Sequence, residues 1–515
     1  MEHEGKTFFI CCQTGSPDDI ERELASGSPV DISGRNGWTP LMFAAFGNHS
    51  PIACRRLIQA GAELHARARN GATALMLAAG ANSEPLVVLE LLQAGADRSQ
   101  HDYDGWNALM HAAYQNSNPE VIRILLEGLT PQELRQMINQ PFDRGWTPLI
   151  NAAANNHSAN VVTTLLQLGA DPDQRDVQGW TARMHAAYEN SSTEILQLLL
   201  NSDEPLNRGD DNGRTALMLA AANNSNSAIT RLLLDAGADA SKTDQEGWNS
   251  LHHAAAHNTS VEVTAMLIAA GISPTVFSPT GMTPLMAAAG YNPNQTVCEV
   301  LIETGADLNS QDTGGHSALH YAVITNNNLA VIQLLLQLGA DPGLPDRRGR
   351  TPLFSAATRS SLPGAVPLLI DGGAPIDLPD NDQITPLMAA AMYQSHMHSI
   401  AALLNAGANP NARDCQGRTP LIHAVQWSGR EEVAATLIHA GAKVNATDAD
   451  GMTALMHAAS NLHIDAGPII DLLLLSEADP LLTDNQGQTA LDYARRNTFL
   501  AGTPSYQMLR QRFEE

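Results

Sequence analysis

The chain has 515 residues, of which 43% are hydrophobic and 16% charged, a balance that excludes a disordered polymer. Its 54 acidic residues outnumber 29 basic ones, for a formal net charge of -25. Nucleic acid and anionic membranes need Lys and Arg to displace counterions, so neither is expected as a partner; a neutral or basic protein or peptide fits better.

The N-terminal segment MEHEGKTFFICC lacks a basic stretch followed by a long apolar one, so it does not read as a secretory leader. Gly5-Lys6-Thr7 lacks the upstream glycine of a phosphate-binding loop. No apolar run approaches the length of a membrane span. The five cysteines (Cys11, Cys12, Cys54, Cys298 and Cys415) fit neither a disulfide framework nor a zinc site, which points to a reducing, cytoplasmic setting. Residues 1–36 hold a helical pair that lacks the motif opening later units, and are expected to form an N-terminal cap.

From residue 37 one unit repeats. Its opening position, where a tight turn asks for glycine, recurs at 37, 71, 105, 145, 179, 213, 247, 281, 315, 349, 383, 417, 451 and 487. Eleven of the thirteen intervals are 34 residues and the others are 40 and 36, a regularity that means a stacked array. The reading is thirteen repeats over 37–486 and a capping repeat over 487–515. The unit 145–178 shows the logic. Thr147 is an N-cap and Pro148 takes the first helical position, where its missing N–H does no harm. Leu149, Ala152 and Ala153 share one face of a short first helix. Val161, Val162, Leu165 and Leu166 form a wider stripe on a second helix, which Gly169 ends in the left-handed conformation. Asp176 and Gly179 bracket a tight turn. Neither helix can bury its stripe alone, so neighbours must stack.

Two regions lengthen the unit. In 127–144, Thr130-Pro131-Gln132-Glu133 reads as a capping box that starts an extra short helix. Residues 460–468 extend a loop between helices. Between the two helices of the regular units stands Asn, at 48, 82, 116, 156, 190, 224, 258, 292 and 326. Left-handed backbone is expected there, and the register allows an asparagine ladder running along the stack.

The strings TPLMFAA (39–45), TPLMAAA (283–289 and 385–391), SALHYAV (317–323) and GRTPLIHAV (417–425), together with AGADR, LGADP and AGANPNA, resemble ankyrin repeats across essentially the whole chain. The resemblance implies an all-α solenoid. Helix–turn–helix units carry hairpin fingers toward the concave side of a curved superhelix, and the array binds proteins. Two features depart from the family. Met replaces its usual His at 42, 76, 110, 184, 218, 286, 388 and 456, leaving that His only at His252 and His320, so an imidazole network linking the fingers is in doubt. The period is also one residue longer than usual.

No HExxH, paired CxxC or nucleophile–base pair breaks the repeat. His111, His185, His253, His423 and His457 share one first-helix position and read as a packed or solvated row rather than converging metal ligands. The chain is therefore read as a non-enzyme without catalytic residues, metal or cofactor. Trp38, Trp106, Trp146, Trp180 and Trp248 all follow the opening position, and Phe46, Tyr114 and Tyr188 lie at the end of the first helix. These rings either stiffen the fingers or form a contact stripe, and both roles are compatible. The expectation is a monomeric scaffold that binds a protein or peptide on the concave face of its N-terminal half. The alternatives are an acidic inhibitor or assembly scaffold, and an exported effector adaptor.

Overall fold

The computed structural model describes residues 2–359, 362–393, 397–461 and 466–514. Among them the regular elements are helices, and the extended pairings are two isolated bridges, Thr447 with Thr453 and Thr483 with Thr489. The chain divides into two compact units, one of residues 1–254 and 262–272, the other of 255–261 and 273–515.

Within each unit the helix pairs stack in two layers. First helices such as Pro40–Gly47, Ala74–Ala81 and Ala108–Gln115 pack against one another, and second helices such as Pro51–Gln59, Pro85–Gln93 and Pro119–Leu126 form the other layer. The first layer is built on small residues. Leu41, Ala44 and Ala45, and likewise Leu217, Ala220 and Ala221, are buried. Each leucine removed from water in this way contributes about 2 kcal/mol. Thr147 caps its helix at the amide of Ile150, and Pro148 follows it at the first position. At Met42, Met76, Met218, Met388 and Met456 the sulfur in the third helical position faces the N-cap amide, as at Thr39 N to Met42 Sδ, 3.5 Å. His320, one of the two imidazoles at that position, reaches further: its Nε2 lies 3.1 Å from the Arg350 carbonyl of the next finger. Met cannot make that reach. The fingers are joined instead by their backbones, as in Tyr103 N to Asn70 O at 2.9 Å and Asn485 N to Asp450 O at 2.9 Å.

The asparagines are not left-handed. Asn48, Asn82, Asn116 and Asn156 have φ of -89°, -86°, -77° and -82°, ordinary extended backbone. Their side chains explain the residue choice. Asn82 Nδ2 donates to Ala45 O and to Asn48 O, both at 2.9 Å, while its Oδ1 accepts the amide of Glu84 at 3.0 Å. Asn116, Asn156 and Asn190 repeat the pattern on the preceding repeat. The ladder exists, but its rungs run from each amide to the main chain of the previous asparagine rather than from amide to amide. These bonds satisfy carbonyls at the end of the preceding first helix that water cannot reach.

The opening positions are left-handed, as the turn requires. Gly349 (φ +80°) also meets its neighbour closely, since a Cβ there would stand 2.9 Å from Asn381 N. Gln383 takes the same conformation, at φ 61°, without glycine's freedom. Gln383→Gly should therefore stabilise the protein by about 0.5–1 kcal/mol, read as a raised urea midpoint. A lowered midpoint would refute the strain.

The lengthened regions differ in outcome. Thr130 and Glu133 form the capping box of the helix Pro131–Asn139, which packs on Pro148–Asn155. Residues 462–465 of the second region lie outside the described residues, and the helix Gly467–Leu475 resumes after them. Residues 1–36 form the helices Glu2–Thr14 and Pro17–Ala25, and 487–515 form Ala490–Arg496 and Pro504–Glu514. Cys54 and Cys298 are buried, and burial pushes both thiols up to about 12, whereas Cys415 is exposed. A thiol reagent should label Cys415 in the native protein and reach Cys54 and Cys298 only on unfolding. Rapid native labelling of either buried thiol would contradict this packing.

Candidate protein-binding surface

The surface is assembled from the turn upward. In the repeat opening at Gly105, Asp102 Oδ1 accepts the amides of Asp104 (3.1 Å) and Trp106 (2.8 Å), which folds the turn and places the indole. The other oxygen, Oδ2, accepts the Nε2–H of His111 from the first helix at 2.9 Å. One carboxylate thus fixes finger and helix together. The same pairing recurs as His185 with Asp176, His253 with Asp244, His423 with Asp414 and His457 with Asp448, at 2.8–2.9 Å. In two repeats Tyr replaces His: Tyr321 donates to Asp312 at 2.7 Å and Tyr493 to Asp484 at 2.6 Å. The histidine row is a set of braces, each pairing with its own turn. Spacing held the signal, because the recurring Asp lies nine residues before each of these histidines.

The Trp rings lean on this brace. Trp106 packs edge-on against His111 (5.5 Å) and Tyr114 (5.4 Å), and Trp248 against His253 (5.5 Å). Trp38 meets Phe43 (5.2 Å) and Phe46 (5.1 Å). Trp146, whose own repeat has Asn151 in place of the His, contacts His185 of the following repeat at 4.7 Å. Trp38, Trp106, Trp146 and Trp248 are half-buried, as are Phe46 and Tyr188, and Tyr114 is exposed. Trp180 stands apart. It is only 6% exposed, packs on His185 and Tyr188, and donates its Nε1–H to Asp210 of the next repeat at 2.8 Å beneath the guanidinium of Arg214. That indole is part of the scaffold, and its place in a contact stripe is not supported.

The row is also anionic. Asp176 and Asp244 are held below the usual carboxylate range: burial pushes them upward, but hydrogen bonds from their histidines and turn amides outweigh it. These carboxylates are buried within the braces, and the acids that the fingers expose beside the half-buried aromatic edges are Asp104, Asp143, Asp211 and Glu246.

A different feature of this unit escaped the sequence reading. Arg183 replaces the core leucine of the first helix and pairs with Glu204 at 2.8 Å; their side chains are 4% and 1% exposed. Arg175 and Arg208 also face Glu204, at 3.4 and 3.9 Å. In the C-terminal unit the first helix Pro420–His423 passes into a wider π-turn over Ala424–Ser428, which leaves Trp427, the sixth tryptophan, exposed.

A family model described as ankyrin repeats (3 copies) matches residues 8–102, 81–176, 158–244, 183–278, 220–312, 251–346, 285–378 and 360–448. None of the curated proteins compared with the chain matches it. Among solved structures, the ankyrin repeat domain of Bcl-3, described as a unique member of the IkappaB protein family, is 29% identical; the match covers 45% of this chain and 99% of that one, with a TM-score of 0.39. Among the described residues no helix is long and apolar enough to cross a membrane.

Proposed function

The chain belongs to the ankyrin-repeat family, and from that premise we propose that it is a non-catalytic protein-interaction scaffold. Its contact surface is the finger and first-helix face of the N-terminal unit, centred on Trp38, Phe46, Trp106, Tyr114, Trp146, Tyr188 and Trp248. The observation that carries this reading is the row of half-buried aromatic edges along one repeat register, beside fingers that expose Asp104, Asp143, Asp211 and Glu246. Aromatic rings held rigid by a brace lose little entropy on binding, and they make good anchors. The exposed acids on the fingers suit a neutral or basic protein or peptide. Five free cysteines support a reducing, cytoplasmic setting for this reading, in which the scaffold acts as a monomer.

The test replaces rings that the scaffold does not need. Trp106→Ala with Tyr114→Ala should weaken capture of partners from native lysate by about thirtyfold or more while keeping the helical signal, at a loss of stability of about 1 kcal/mol for the ring contacts removed. Trp180 is unsuitable, because its loss would disturb the fold. Capture equal to wild type would remove the aromatic surface as the binding site. If capture instead vanished with added salt and ignored both rings, the acidic inhibitor or assembly reading would replace it.

A further inference from the structure

The C-terminal unit has a space that the N-terminal unit fills with its own rings. In the repeat opening at Gln383, Ile384 stands where Trp stands in the N-terminal repeats, and Ala389 stands where His stands. The missing indole and imidazole leave a groove of about 210 Å³ between the first helices Pro352–Ala357 and Pro386–Met392. Its walls are Phe354, Ile384, Ala389, Met392 and the 55%-exposed Tyr393, with Arg350 at the rim.

The polar rim is unsatisfied as well. The Arg350 guanidinium lies over the Phe354 ring at 5.1 Å, and its buried Nε has no hydrogen-bond partner. Asp380, which has no histidine to pair with in this repeat, approaches that Nε only to 3.5 Å. On the same turn Arg347 and Arg348 are exposed, and neither forms an ion pair among the described residues. Three guanidinium groups thus stand beside this aromatic-lined cavity, against Asp346 and Asp380, whose Oδ1 atoms are taken by turn amides, and the exposed Asp382.

We propose that this groove receives an extended acidic peptide, which seats one aromatic side chain where the indole is absent and sets a neighbouring carboxylate against Arg350 and Arg348. The cavity supplies apolar burial, and the guanidinium fork matches a carboxylate. The partner is opposite in charge to the one proposed for the N-terminal unit, so the two surfaces are separable.

Random dodecapeptides displayed on phage and selected on the full chain test this, with the winning peptide labelled by fluorescein and measured by anisotropy. Selected peptides should share an aromatic residue flanked by Asp or Glu. The labelled peptide should bind Arg348→Glu and Tyr393→Ser about tenfold more weakly, and Trp106→Ala as wild type. Ile384→Trp, which returns the chain's own indole to the cavity, should abolish binding with the melting temperature kept. Both Arg348 and Tyr393 are exposed, so their variants should fold. Three outcomes would overturn the proposal: selected peptides without the acidic-aromatic pattern, binding insensitive to all three groove variants, or self-association of the chain that those variants remove, which would make a second copy the occupant.

Discussion

Glu204→Ala is expected to cost about 3–5 kcal/mol of stability, measured by urea unfolding of the full chain. The side chains of Glu204 and Arg183 are almost completely buried and 2.8 Å apart. Arginine cannot shed its proton to escape a desolvated site, so removing the carboxylate leaves a bare buried charge. Arg175 also loses its carboxylate partner, at 3.4 Å, though its Nη2 keeps a 2.8 Å bond to Gly209 O. The loss is comparable with the whole stability of many domains. The neighbouring repeats show how to separate the pair from the site: Leu occupies the Arg183 position at 149 and 217, and Ala the Glu204 position at 170 and 238. The double variant Arg183→Leu with Glu204→Ala should return to within about 1 kcal/mol of wild type, since well-packed apolar replacements of buried ion pairs are often neutral. A single-variant loss below 1 kcal/mol would mean that water reaches the pair.

That pair marks the boundary between what was legible in the sequence and what was not. Period, caps and the left-handed opening turns were readable because each is local: Thr147, Pro148, Gly169 and Gly179 act within a few residues of themselves. The asparagine register was readable, but its backbone was misjudged. An Asn in a loop suggests a left-handed turn, and only the preceding repeat, 34 residues away, supplies the carbonyls that explain it. Distance likewise hid the Arg183–Glu204 pair, although both residues break the repeat pattern at core positions. The His–Asp braces could have been found from their constant nine-residue spacing. The division of the Trp row into four half-buried rings and one buried ring could not, because Trp180 differs only by the following repeat's Asp210 and Arg214.

The brace between His423 and Asp414 makes stability pH-dependent. In five repeats of the N-terminal unit an indole follows the opening glycine, but in the repeat opening at Gly417 that position is Arg418. Its Nε donates to Asp414 Oδ2 at 2.9 Å, the same oxygen that accepts from His423 Nε2 at 2.9 Å. His423 is wholly buried and its Nδ1 has no partner. Burial above all, then the positive charge of Arg418, pushes its pKa down from 6.5 to about 4, and Asp414 offsets this only in part. A depressed histidine leaves the folded chain with fewer protons than the unfolded one. Its contribution is therefore complete above pH 6.5 and is lost as pH falls toward 4, by about 3 kcal/mol over that window. Asp414 is held below the usual carboxylate range: burial pushes it up, but hydrogen bonds from the amide and guanidinium of Arg418 and the amide of Gln416 prevail, so its own contribution fades in a lower window. Urea unfolding in steps from pH 7 to pH 4 should show stability declining, and His423→Gln, which keeps a donor without a titrating ring, should flatten the slope by up to one proton. If the His423 ring resonance in the folded chain titrated near pH 6.5, its charge would be tolerated in place, and burial beside Arg418 could not be the source of the acid sensitivity.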